Sequence, residues 1–284
     1  MMQAERRNFL QLRSLQKPLE NHGYTILEVM IVIGISAFMF ISIAYTFGGR
    51  QQEVQFTQAV RDFDSRLQDT INDITTGFFN NDGSNRCVVT NPSNPNSAPS
   101  FPGGVDPQGQ SEDCVFIGKV MQFIPNGGGN EEINILNIVG RRENSTGVAV
   151  SNLDEANPRA VTQDVENIAL DWGLRVTGLG DSSNNYASIG FFTSFSRSFG
   201  SGLNQTTVQN TQAVRYVGIP NSVAGETVSS LANKIANVTS TSQESILICL
   251  EKSDRSKKAA ILLGEEGSAS TTVLFDDPRV DAQC

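Results

Sequence analysis

Residues 29–49 form a run of 21 residues without a charge, VMIVIGISAFMFISIAYTFGG. As a helix rising 1.5 Å per residue, this run is about 31 Å long, the thickness of a bilayer's hydrocarbon core. Its flanks differ in charge. Residues 1–23 carry Arg6, Arg7, Arg13 and Lys17 against Glu5 and Glu20, a net of +2, whereas the remainder holds 17 basic and 28 acidic residues, a net of −11. The positive-inside rule then predicts a cytoplasmic N-terminus and an extracytoplasmic body. A cleaved secretory signal fits poorly, because its apolar core is shorter and ends in a small-x-small site that this run lacks.

A plain anchor leaves Glu28 unexplained. It stands between Tyr24-Thr25-Ile26-Leu27 and Val29-Met30-Ile31, and an acid near the bilayer centre costs on the order of 3 kcal/mol. One reading places Glu28 at the start of the helix, within reach of the headgroups. The string Gly23-Tyr24-Thr25-Ile26-Leu27-Glu28 ahead of a long apolar helix also resembles the class III signal of type IV pilins and type II secretion pseudopilins. It is specific, because glycine, acid and apolar run all stand in register.

The resemblance implies a prepilin leader over 1–23, cut by a prepilin peptidase between Gly23 and Tyr24, with N-methylation of Tyr24. It also implies that Glu28 docks the subunit into a filament. The family usually has Phe where this chain has Tyr24. The implied partners are other pilin subunits, the peptidase, an inner-membrane assembly platform with its ATPase, and membrane lipid. A cationic terminus at Tyr24 and Glu28 of a neighbouring subunit would attract strongly in a low-dielectric filament core, where either alone is costly. A mature chain of residues 24–284 is large for an abundant shaft subunit and favours a minor pilin.

Beyond residue 49 the apolar positions become periodic: Phe56, Val60, Phe63, Leu67, Ile71, Ile74 and Phe78 make one stripe of a helix. Gly77 is a C-cap candidate, so one helix is expected over 24–77, with 24–49 as the membrane or filament-core part. Gly34 and Gly48-Gly49 are its weakest points. Residues 79–113 are dense in Pro, Asn and Gly and read as an ordered surface loop. Strand patterns follow at 114–124, 133–139, 167–172, 188–195, 245–251, 259–264 and 270–275, with a PNGGGN turn at 125–130 and a short helix at 228–238. The expected fold is α+β: a long N-terminal helix packed on one antiparallel sheet, in a β-rich head over 78–284 without a second independent core. That plan is also what the pilin resemblance implies.

Cys87, Cys114, Cys249 and Cys284 all fall in the part expected outside. An even count there reads as disulfides, with three pairings open. The local pairing, Cys87–Cys114 with Cys249–Cys284, closes loops of about 30 residues, each worth ~3–4 kcal/mol in the chain-entropy view, and closes most easily. A four-thiolate metal site lacks Cys-x-x-Cys spacing. Asp276, Asp277 and Asp281 read as a solvated acidic turn, since no calcium-ligand loop surrounds them.

The acidic balance argues against nucleic acid. The lone histidine, His22, falls in the leader. With no Gly-x-Ser-x-Gly and no phosphate loop, neither enzymatic activity nor a cofactor is expected. The expected function is a structural subunit of a type IV pilus or related filament. The alternatives are a secretion pseudopilin and an uncleaved single-pass anchor carrying an extracellular binding domain.

Overall fold

The structure is a computed structural model that describes residues 24–78, 86–104, 113–124, 132–195, 214–239, 245–264 and 269–284. The chain divides into two compact units, Met1–Gln51 and Gln52–Cys284. The leader 1–23, including Gly23, and the turn at 125–130 lie outside the described residues.

Helix α1 runs over Ile26–Thr76 without interruption, through Gly34 and Gly48-Gly49. Over Ile26–Tyr45 it is apolar, with Glu28 in its first turn as the one charged residue. In the second unit, the stripe is buried at Phe56, Val60, Phe63, Leu67 and Ile74, joined by Ala59; Ile71 is half-buried, and Phe78, past the helix end, is exposed. Burying those five large side chains contributes on the order of 10 kcal/mol before conformational entropy is counted. Phe63 meets Phe123 edge to face at 6.2 Å. The helix closes with a Schellman motif: Gly77, at φ 70°, donates to the Ile74 carbonyl and Phe78 to that of Asp73.

The second unit holds two antiparallel sheets, which corrects the expectation of one. Strands β1 (Cys114–Ile124), β2 (Glu132–Arg141), β3 (Arg159–Ala169), β5 (Ser188–Thr193) and β6 (Val214–Gly218) form the first, in the order β3-β2-β1-β5-β6. The second comprises β4 (Leu174–Gly180), β7 (Ile246–Lys252), β8 (Lys258–Leu263) and β9 (Thr271–Phe275), in the order β4-β7-β8-β9. The strand expected at 167–172 ends at Ala169. A 3₁₀ turn, Asp171–Gly173, then passes the chain from the edge of one sheet to the edge of the other. Strand β4 carries a bulge and two glycines and lacks clean alternation, which is why its pattern does not announce a strand.

The main core joins α1 to both sheets: Met121, Phe123, Ile133, Ile135, Phe191 and Tyr216 from the first, and Ile246, Ile248, Leu250, Ile261 and Leu263 from the second. The opposite face of the first sheet is also buried. Val120, Leu136 and Ile138 pack there with Leu153 and Ala156 of α2 (Leu153–Ala156) and Leu231 and Ile235 of α3 (Val228–Ile235). This second layer belongs to the same compact unit. Helix α4 (Pro278–Gln283) places Val280 against Leu247, Ala260, Leu262 and Leu274 on the outer face of the second sheet.

Candidate functional site

The N-terminal helix begins on a side-chain cap. Thr25 Oγ1 accepts from the Glu28 backbone N–H at 3.2 Å, and the Thr25 carbonyl accepts from Val29 N–H at 3.2 Å. Thr25 is therefore the N-cap and Glu28 the third helical residue, the spacing of a capping box. A carboxylate there offsets the positive end of the helix dipole by ~0.3–1 kcal/mol. Thr25 escaped the sequence reading, although Thr-x-x-Glu before an apolar run is a visible signal. Tyr24 lies just ahead of the helix, 80% exposed. From Ile26 to Tyr45 the helix is long and apolar enough to cross a membrane, and none of that stretch is buried.

The cysteines pair locally: Cys87 is bonded to Cys114 and Cys249 to Cys284, at sequence separations of 27 and 35. The first bond joins the proline-rich segment to β1, and the second holds α4 on β7. Residues 86–104 are further fixed by one side chain. Arg141, at the end of β2, is fully buried, and its guanidinium donates to the carbonyls of Asn94 at 2.8 Å, Pro92 at 2.5 Å, Pro95 and Ser97 at 3.5 Å, and Glu143. Asn157 Nδ2 donates to the Pro95 carbonyl at 2.8 Å, and Val88 pairs with Ser100 in an isolated bridge. A fork of several N–H donors is the one side chain that can collect so many carbonyls at a point. Within 86–104 the loop is thus ordered, as its sequence suggested; 79–85 and 105–112 lie outside the described residues.

Two further polar groups organise the unit. Lys119 of β1, 5% exposed, lies within 2.6 Å of Asp73 in the last turn of α1, where a cation also suits the helix dipole. Before α3, Glu226 accepts from Lys234 Nζ at 2.5 Å, Ser230 Oγ at 2.9 Å and Val223 N–H at 3.0 Å. Burial pushes this carboxyl up, but the hydrogen bonds from Lys234, Val223 and Ser230 outweigh it and hold the group below its ordinary range. The Glu226 carbonyl receives Gln122 Nε2 at 2.6 Å, and a row of amides continues through Asn134 to Asn167 across β1, β2 and β3.

Asp277 caps α4, accepting from Arg279 N–H and its guanidinium; Arg279 holds the Asp277 carboxyl low. Among the described residues, no three His, Cys, Asp or Glu side chains are grouped to hold a metal. No protein-family model, curated protein or solved structure matches this chain.

Proposed function

We propose that this chain is a structural, non-enzymatic subunit of a type IV pilus or related filament, made as a membrane-inserted precursor and assembled through α1. The observation that carries this reading is the register of Gly23, Tyr24 and Glu28 immediately ahead of Ile26–Tyr45. The geometry is in keeping with it. The uncovered apolar stretch needs lipid first and neighbouring helices later, and Glu28 belongs to the first turn, close to a terminus created at Tyr24. Two disulfides suit an oxidising, extracytoplasmic side for the second unit, with the basic flank remaining in the cytoplasm. The partners in this reading are other pilin subunits, the prepilin peptidase, the assembly platform with its ATPase, and lipid.

The test is the mass of the N-terminus in protein extracted from membranes of cells with an active prepilin peptidase. The expected product begins at methylated Tyr24, and Gly23→Ala blocks its formation. An intact leader, or normal processing of Gly23→Ala, would overturn the proposal in favour of the uncleaved anchor.

A further inference from the structure

Past the end of β2 the chain turns back on itself as a small hairpin over 142–150. Glu143 pairs with Ala149, the Val150 N–H donates to the Arg142 carbonyl at 3.1 Å, and the Asn144 N–H donates to the Val148 carbonyl at 2.7 Å. Gly147, at φ 76°, closes the tip, and its N–H reaches the Asn144 carbonyl at 3.1 Å. The base of the hairpin is fixed. The Arg141 guanidinium donates to the Glu143 carbonyl, and the Arg142 N–H donates to the Asp113 carbonyl at 2.9 Å, next to Cys114. The tip faces solvent: Thr146, Gly147 and Val148 are exposed, and Asn144 and Ser145 are half-buried.

The tip reads Asn144-Ser145-Thr146. Asn-x-Ser/Thr is the acceptor pattern for N-linked glycans, and the chain holds it at Asn144, Asn204 and Asn237. In a chain this rich in Asn and Ser the pattern alone decides nothing, and the geometry separates the sites. Asn204 lies outside the described residues. Asn237 follows α3, where its Nδ2 donates to the Asn233 carbonyl at 2.9 Å and Val238, the middle residue of the pattern, is buried in the second core layer. An enzyme taking up Asn237-Val238-Thr239 has to draw Val238 out of that layer. At Asn144 the arrangement is reversed. Its Oδ1 accepts from Thr146 N–H at 3.0 Å, Thr146 Oγ1 at 2.8 Å and Val148 N–H at 3.1 Å, while its Nδ2 makes no hydrogen bond among the described residues.

We infer that Asn144 is the acceptor of an N-linked glycan, transferred from a sugar carried on a lipid pyrophosphate. The inference rests on the extracytoplasmic placement of the second unit, the side on which an exported chain meets such a donor. A carboxamide nitrogen is a poor nucleophile, because its lone pair is delocalised into the carbonyl. Donors gathered on Oδ1 stabilise the negative charge that builds there as Nδ2 gives up a proton. The Thr146 hydroxyl is one of those donors, which gives the third position of the pattern its physical use here. In the transfer Nδ2 bonds to the anomeric carbon and the bond from that carbon to the pyrophosphate oxygen breaks. The lipid pyrophosphate leaves with the electron pair, and the Nδ2 proton passes to a base of the transferring enzyme.

The test is peptide mapping of the full chain purified from membranes of the cells that make it, digested with and without reduction. Electron-transfer fragmentation leaves a sugar on its residue and so locates it. The expected result is a glycan on Asn144 and none on Asn237. Asn144→Asp keeps an oxygen for the three donors, and with it the turn, but has no Nδ2; it should lose the glycan while Cys87–Cys114 still forms. Thr146→Ser should keep the modification and Thr146→Val should lose it. An unmodified Asn144 in protein whose cysteines are bonded overturns the inference and leaves the extracytoplasmic placement standing. An unmodified Asn144 with free cysteines removes that placement and the site with it. A sugar on Ser145 or Thr146 in place of Asn144 is O-linked and also overturns the inference. Undiminished modification of Thr146→Val removes the role given to the hydroxyl.

Discussion

Arg141 shows how one residue sets the order of a segment that has no regular structure. Its guanidinium is buried without a carboxylate beside it in the contacts described, and carbonyls from residues 92–97 and Glu143 take its place. Arg141→Met should cost about 2–3 kcal/mol, the scale of hydrogen bonds to a charged group, with the freed carbonyls turning to water limiting the loss. Arg141→Lys keeps the charge but not the fork and should fall between. Urea midpoints give the stability, and native-state proteolysis within 86–104 gives the local effect. The Met variant should be cut there while Cys87–Cys114 stays bonded. Equal resistance to cleavage in all three proteins would count against the clamp. Nothing local in the sequence marks Arg141, because all of these contacts but the one to Glu143 lie more than 40 residues away. Thr25, by contrast, was legible in a short pattern.

Among elements, legibility followed burial pattern. Helix α1, with its stripe and its Gly77 cap, was readable, as were β1, β2, β5, β7, β8 and β9, whose apolar residues are dense. The first part of β3, all of β4 and all of β6 were not: all three are edge strands, β3 and β4 of mixed polarity, and β6 only five residues long, too short for its alternation to stand out. The division into two sheets was hidden for the same reason, since it occurs at the turn between β3 and β4.

Two glycines at element ends separate conformational cost from steric cost. Gly77, at φ 70°, has open space where a Cβ would stand, so Gly77→Ala should cost only the left-handed penalty, about 1–2 kcal/mol. Gly264 ends β8 at φ 84°, and its Cβ would run into the ring and hydroxyl of Tyr216, a fully buried side chain that donates to the Gly264 carbonyl at 3.3 Å. Gly264→Ala adds overpacking of ~1–3 kcal/mol to the same penalty. Its urea midpoint should therefore fall well below that of Gly77→Ala; comparable midpoints would mean that Tyr216 moves aside freely.

For the whole molecule, the unsolved physical problem is the uncovered apolar stretch Ile26–Tyr45, with an acid in its first turn. Glu28 has two possible uses, and one substitution separates them. As the third residue after Thr25 it can complete a capping box, a role Gln also fills. As the counter-charge to a neighbour's terminal amine in a filament core, it must be ionised, and its loss leaves that amine buried and unpaired, a cost of ~3–5 kcal/mol. Glu28→Gln therefore keeps the start of the helix and removes the charge, whereas Glu28→Ala removes both. Both variants should insert into the membrane and be processed at Gly23, because in the monomer this turn is exposed. If the charge drives assembly, both should be missing from sheared filaments, measured by fractionation with an antibody to the second unit. If the cap alone matters, Glu28→Gln should enter filaments as the parent does and only Glu28→Ala should fail. Incorporation of both at parental levels would remove Glu28 from assembly altogether and leave the headgroup-facing acid of a simple anchor.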